Sequence, residues 1–112
     1  MGDRLPFRMT LPTQYVLRAL LTRPAQAMYG LEICAEAGLP SGTIHPILAR
    51  LEGAGWLRSE WEDADPARVG RPRRRYYRLT DDGAEQARDA LARTRAARAP
   101  RFKWRPAEGS TA

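Results

Sequence analysis

The chain has 112 residues, a formal net charge of +6 and 43% hydrophobic residues, which suits one domain with a modest core and excludes general disorder. No apolar run approaches the ~20 residues needed to span a bilayer, 1–10 lacks the apolar stretch of a secretory signal, and the single cysteine, Cys34, cannot close an internal disulfide. The composition therefore predicts a cytoplasmic protein with no membrane partner, no metal site and no cofactor.

Residues 1–10 read as an N-terminal arm. A first helix is expected over about 13–22, after Pro12 and before Pro24, with Val16, Leu17, Leu20 and Leu21 on its apolar face. A linker over 23–28 leads to a second helix over about 29–37, with Leu31, Ile33 and Cys34 as inward candidates. Gly38 stops it in the position where a left-handed residue is usual, and Leu39 and Pro40 make the turn.

The third helix carries the clearest pattern. Ser41 is the expected N-cap, and Ile44, Ile47, Leu48 and Leu51 recur at helical spacing. At 100° per residue the opposite side presents Gly42, Pro46, Ala49 and Gly53, with Thr43 and Arg50 along one edge and His45 and Glu52 along the other. A solvated face normally carries long charged side chains. A nearly bare one lets the backbone press against a surface, which suits a DNA groove and equally suits another protein element. The amides near 41–43 can also receive a phosphate.

Strands over about 56–62 and 73–79, joined by a turn-rich loop over 63–72, read as a β-hairpin. Antiparallel pairing is expected to set Glu60 and Glu62 against Arg73 and Arg75. The hairpin holds Arg68, Arg71, Arg73, Arg74, Arg75 and Arg78, more arginines than its four acids can neutralise, which is an electrostatic footprint for nucleic acid. Arg71, between Gly70 and Pro72, is the candidate for a minor groove. Thr80 should cap a last helix reaching about Ala97, with a stripe of Ala84, Ala87, Leu91 and Thr94; Pro100 breaks it, and 100–112 reads as a flexible tail.

The fold class is thus mainly α with a small β-hairpin, in the order helix, helix, helix, strand, strand, helix. A helix-turn-helix followed by a hairpin makes a winged helix-turn-helix, expected over 11–80, whose third helix meets base edges in the major groove. His45, the only histidine, has no base, nucleophile or metal partner in the sequence, and no phosphate loop is present, so an enzyme is not expected. A winged-helix module that docks on another protein is the alternative; so many wing arginines count against it.

The chain resembles the PadR family of winged-helix transcription regulators. The residues that carry the likeness are Met28-Tyr29-Gly30-Leu31-Glu32-Ile33, the run from Ser41 to Glu52, Trp61-Glu62, Gly70-Arg71-Pro72-Arg73, Tyr76-Tyr77-Arg78-Leu79-Thr80 and Gly83. The resemblance implies a homodimer that binds double-stranded DNA at a palindromic operator, usually as a repressor. It points to Ser41, Thr43, His45, Arg50, Arg71 and Arg73 as DNA contacts, with Arg74 of the same wing. Tyr29 falls where family members carry a tyrosine near the DNA backbone, though core packing explains it equally well. His45 departs from the tyrosine usual in the family. The helix over 81–99 would serve dimerisation through Ala84, Ala87 and Leu91, unless that face packs within its own subunit. A small-molecule effector at a dimer cleft, against Trp61 or Trp104, is a further implication.

Overall fold

A computed structural model describes residues 5–98 of the chain, with side chains through Arg95. Five helices and three strands follow in the order α1 (Leu11–Leu21), β1 (Met28–Tyr29), α2 (Gly30–Ala37), α3 (Ser41–Gly53), β2 (Leu57–Trp61), α4 (Pro66–Val69), β3 (Arg75–Leu79) and α5 (Asp81–Arg98). The tail expected over 100–112, with Phe102, Lys103, Trp104 and Arg105, lies outside the described residues.

The first helix starts two residues earlier than expected because Thr10 caps it, its hydroxyl accepting from the Thr13 amide at 3.3 Å. Pro12 then sits in the first turn, where its missing N–H costs nothing. Residues 5–10 before it are docked: the Phe7 ring meets Trp56 edge-on at 4.8 Å, and Gln14 Nε2 donates to the Met9 carbonyl at 3.1 Å. Gly38 closes α2 at φ 72°, a left-handed conformation that lets the Gly38 and Leu39 amides return to the Cys34 carbonyl. The α2–α3 turn is therefore tight, as the sequence implied. Ile33 is buried, but Leu31 is 70% exposed rather than inward, because so short a helix has room to bury only one line of side chains.

The sheet has three strands, in the order β1-β3-β2, all antiparallel. The additional strand is β1, which pairs Met28 with Tyr77 and Tyr29 with Tyr76. It takes the first residue expected of the second helix. The segment expected as an open loop contains the single turn α4, where the Asp65 carboxylate accepts from the Ala67 amide at 3.1 Å and Pro66 opens the turn.

One core joins all of this. Val16, Leu17 and Leu20 of α1, Ile33 of α2, and Ile44, Ile47, Leu48 and Leu51 of α3 meet Trp56, Leu57, Tyr77 and Leu79. Burial of each large aliphatic side chain stabilises by roughly 1.5–3 kcal/mol. Ala84, Ala87, Ala90 and Leu91 of α5 belong to the same cluster. Ala84, Ala87 and Leu91 are thus buried inside their own subunit, the alternative that the sequence left open for this face, where small residues let α5 lie close to the rest of the chain. The contact is tightest at Gly83, where a Cβ would sit 2.1 Å from the Trp56 carbonyl oxygen. Thr80 fixes the approach: its amide donates to that oxygen at 2.9 Å, and its hydroxyl caps the helix by accepting from the Gly83 amide at 2.8 Å. Among the described residues no helix is long and apolar enough to cross a membrane.

Candidate nucleic-acid interface

The outer side of α3 is open as its sequence pattern required. Ser41, Gly42, His45, Pro46, Ala49, Arg50 and Gly53 are exposed, Thr43 and Glu52 half-buried, and the four periodic aliphatics fully inward. Pro46 is tolerated within the helix because the carbonyl it leaves unpaired, that of Gly42, faces solvent. Ser41 is the first helical residue and not the cap; Pro40 holds that position, and no side chain caps the helix. The Pro40 carbonyl accepts from the Thr43 and Ile44 amides at 3.0 and 3.1 Å. The Thr43 amide is thus taken, and of the three amides expected to receive a phosphate, those of Ser41 and Gly42 remain.

Three contacts join Glu52 of α3 to Ser59 and Arg75 of the wing, two of them made by Glu52 itself. Glu52 Oε2 accepts from Ser59 Oγ at 2.6 Å, Arg75 Nε donates to the same Ser59 Oγ at 3.0 Å, and Arg75 reaches Glu52 Oε1 at 3.6 Å. This triangle locks the C-terminal half of α3 to both strands of the hairpin. At the other end His45 leans over α2, so that a Cβ on Gly30 would lie 3.2 Å from His45 Cε1. Tyr29, next in the chain to Gly30, has the Arg74 guanidinium 3.9 Å above its ring and the Tyr76 ring edge-on at 5.5 Å. Both readings of Tyr29 thus have a basis: the ring is half-buried by packing and lies under a wing arginine.

The wing arginines divide by partner. Arg71 forms a two-pronged pair with Glu62, at 2.6 and 3.1 Å. The Arg71 guanidinium and then the Arg74 amide, which donates to the same carboxylate at 2.8 Å, hold the Glu62 carboxyl down at about 2. Its partner is pushed the other way, the Arg71 pKa being raised first by the Glu62 bond. Arg71 therefore braces the base of the wing loop through Glu62. Arg73 Nε donates to the Ala64 carbonyl at 2.9 Å and has no ion-pair partner among the described residues. Arg68 and Arg78 have no ion-pair partner among the described residues. The expected cross-strand pairing of acids with arginines is not the register that forms. Glu60 stands opposite Tyr76, Trp61 opposite Arg75, and Arg58 opposite Arg78.

Two residues join the surface that the sequence pattern did not single out. Arg8 and Arg50 line one open hollow of about 330 Å³ between the N-terminal arm and α3, which sets a second cation beside the arginine of α3. Arg58 lies on the outward face of β2. Trp61 is 58% exposed, with Arg75 5.5 Å from its ring.

The family model "Transcriptional regulator PadR-like family" matches residues 16–89. No curated protein sequence matches the chain significantly. Among solved structures, reduced AbfR bound to DNA is 26% identical with a TM-score of 0.63, over 83% of this chain and 61% of that one. The chain thus spans about three fifths of the AbfR chain. A PadR family transcription regulator from Clostridium difficile R20291 superposes with a TM-score of 0.61 at 22% identity, over 79% of this chain and 91% of that one. A transcriptional regulator homologue from Pyrococcus horikoshii OT3 gives 0.61 at 23%, over 78% and 80%. These likenesses establish a winged-helix architecture for the described residues.

Proposed function

Because the chain belongs to the PadR-like family of transcriptional regulators, we propose that it is a sequence-specific repressor whose α3 enters the major groove of a palindromic operator while the wing holds the flanking backbone. The observation that carries this reading is the open, sparsely decorated side of α3, held to an arginine-rich wing by the Glu52–Ser59–Arg75 triangle. Small residues at Gly42, Ala49 and Gly53 allow close approach, and Ser41, Thr43 and His45 lie at the end that meets base edges. Arg50, Arg73 and Arg74 supply phosphate contacts, with Arg8 beside Arg50. Base edges then set sequence preference and the arginines set salt-dependent affinity. AbfR, bound to DNA in its solved structure, supports the assignment.

A palindromic site calls for two copies. With Ala84, Ala87 and Leu91 committed to the core, the second copy would use exposed residues such as Leu11 and Tyr15 of α1. Sedimentation of the full chain reads its oligomeric state. A small-molecule effector belongs to the same reading and would be sought by thermal-shift screening.

The test is fluorescence anisotropy on DNA from immediately upstream of the coding region, across a salt series. Arg50→Ala should lower the slope of log K against log salt by about one, equally on specific and random duplexes. His45→Ala should instead change the ranking of operator variants. Absence of any preference for upstream over random DNA in the unaltered protein would overturn the proposal.

A further inference from the structure

The outward face of the sheet carries a charge arrangement that the fold does not need. Arg58 and Arg78 stand directly opposite one another across β2 and β3, and both are exposed. Like charges so placed destabilise a sheet. Neither arginine forms an ion pair among the described residues. Of the acids on the same face, Glu60 stands opposite Tyr76 and beside the two arginines but forms an ion pair with neither among the described residues, and Glu62 is taken by Arg71. We propose that this face is a second phosphate-binding surface, which holds DNA backbone beyond the segment gripped by α3 and the wing tip. The proposal rests on the DNA-binding reading above and extends the footprint it implies.

Continuity favours DNA as the occupant. The outward residues of β3 and its approach are Arg74, Tyr76 and Arg78, so the strip begins where Arg74 covers Tyr29, beside the Gly30 on which His45 leans. It ends at the Arg58–Arg78 pair. Four residues of extended chain cover roughly 14 Å, long enough to lie along a short stretch of one DNA backbone. The Tyr76 ring lies between the charges, and its hydroxyl is a donor type commonly used on phosphate oxygens. The hollow that Arg58, Tyr76 and Arg78 line together with Ala27, Ser59 and Glu60 holds only about 20 Å³. That admits a water molecule and no organic ligand, which leaves a surface contact as the use of the pair.

The test compares the full-length protein with an Arg58→Ser/Arg78→Ser double variant in the same anisotropy salt series. Two duplexes are used: the footprinted operator, and that operator extended at both ends by about one helical turn. The unaltered protein should bind the longer duplex more tightly, and the double variant should lose that gain. The double variant's slope on the longer duplex should fall by about 1.8, which amounts to roughly 60-fold weaker binding at 0.1 M salt if the contacts contribute nothing at 1 M. A single Arg58→Glu variant supplies a readout that a purely structural role would not give. It should raise Tm by roughly 2–5 °C through relief of the like-charge pair while weakening DNA binding. An unchanged slope in the double variant on both duplexes would overturn this surface and favour an acidic protein as its partner. A lower Tm for Arg58→Glu would overturn the repulsion argument. Failure of the unaltered protein to prefer its own upstream DNA would instead overturn the parent reading.

Discussion

Replacing Gly83 by alanine sets two opposed effects against each other. An alanine in a helix interior is favoured over glycine by about 1 kcal/mol, partly through a less disordered unfolded chain. The opposing effect comes from Trp56, whose O, Cα and C atoms would lie 2.1, 2.6 and 2.7 Å from the new Cβ. All three belong to the backbone, so no side-chain rotation relieves the overlap. The start of α5 must therefore retreat by roughly 1 Å, a gap that forfeits a quarter to a half of each dispersion contact along it. The Thr80 amide and hydroxyl, at 2.9 Å from the Trp56 and Gly55 carbonyls, move with the helix. Two weakened hydrogen bonds at about 1 kcal/mol each, with about 1–2 kcal/mol of packing lost around Ala84 and Ala87, outweigh the propensity gain. The net loss is about 2–3 kcal/mol, a Tm lower by roughly 8–24 °C in a far-UV circular dichroism melt. A Tm equal to or above that of the unaltered protein would refute the close approach as the reason for glycine.

The Glu62–Arg71 brace gives two further expectations. A carboxyl whose folded pKa is depressed contributes stability that is complete above its ordinary value of 4.5 and is lost as pH falls toward about 2. Glu62→Gln should therefore flatten the decline of Tm across that window; parallel curves for the two proteins would remove the brace from the acid limb. Replacing both partners, Glu62→Gln with Arg71→Met, removes one charge of each sign and should leave the salt slope of DNA binding at its original value, in contrast to Arg50→Ala. A slope lowered by about one would restore Arg71 as a phosphate contact.

The parts of this molecule legible in the sequence are those decided locally. Ile44, Ile47, Leu48 and Leu51 fix which side of α3 is buried, and thereby which side is bare, before any neighbour is known. Thr80 as a cap and Gly38 as a left-handed stop are likewise chain-local. The rest depended on partners distant in sequence. A two-residue strand such as β1 has no periodicity of its own and exists because Tyr76 and Tyr77 are there to pair with it. The alanines of α5 suit a neighbouring copy or the same chain equally, and only the approach to Trp56 decides between them. Arginine roles were least legible, because they turn on register. With Arg58 facing Arg78 and Glu62 reaching Arg71, identical side chains within ten positions become a brace, a ring cover and an unpaired cation.

The pairing of β1 with β3 also bears on the order in which the surface is assembled. Met28 and Tyr77 are about fifty positions apart along the chain, a larger closure than the hairpin of β2 and β3 requires, and closure entropy grows with loop length. Two paired residues return little for that entropy, so β1 is expected to zip up last, after α2, α3 and the hairpin have docked. Tyr29 comes into register with Arg74 and Tyr76 only at that step. A half-folded chain would thus display a charged hairpin without its aromatic seat, so capture of nucleic acid by nascent protein would be loose and indiscriminate until folding is complete.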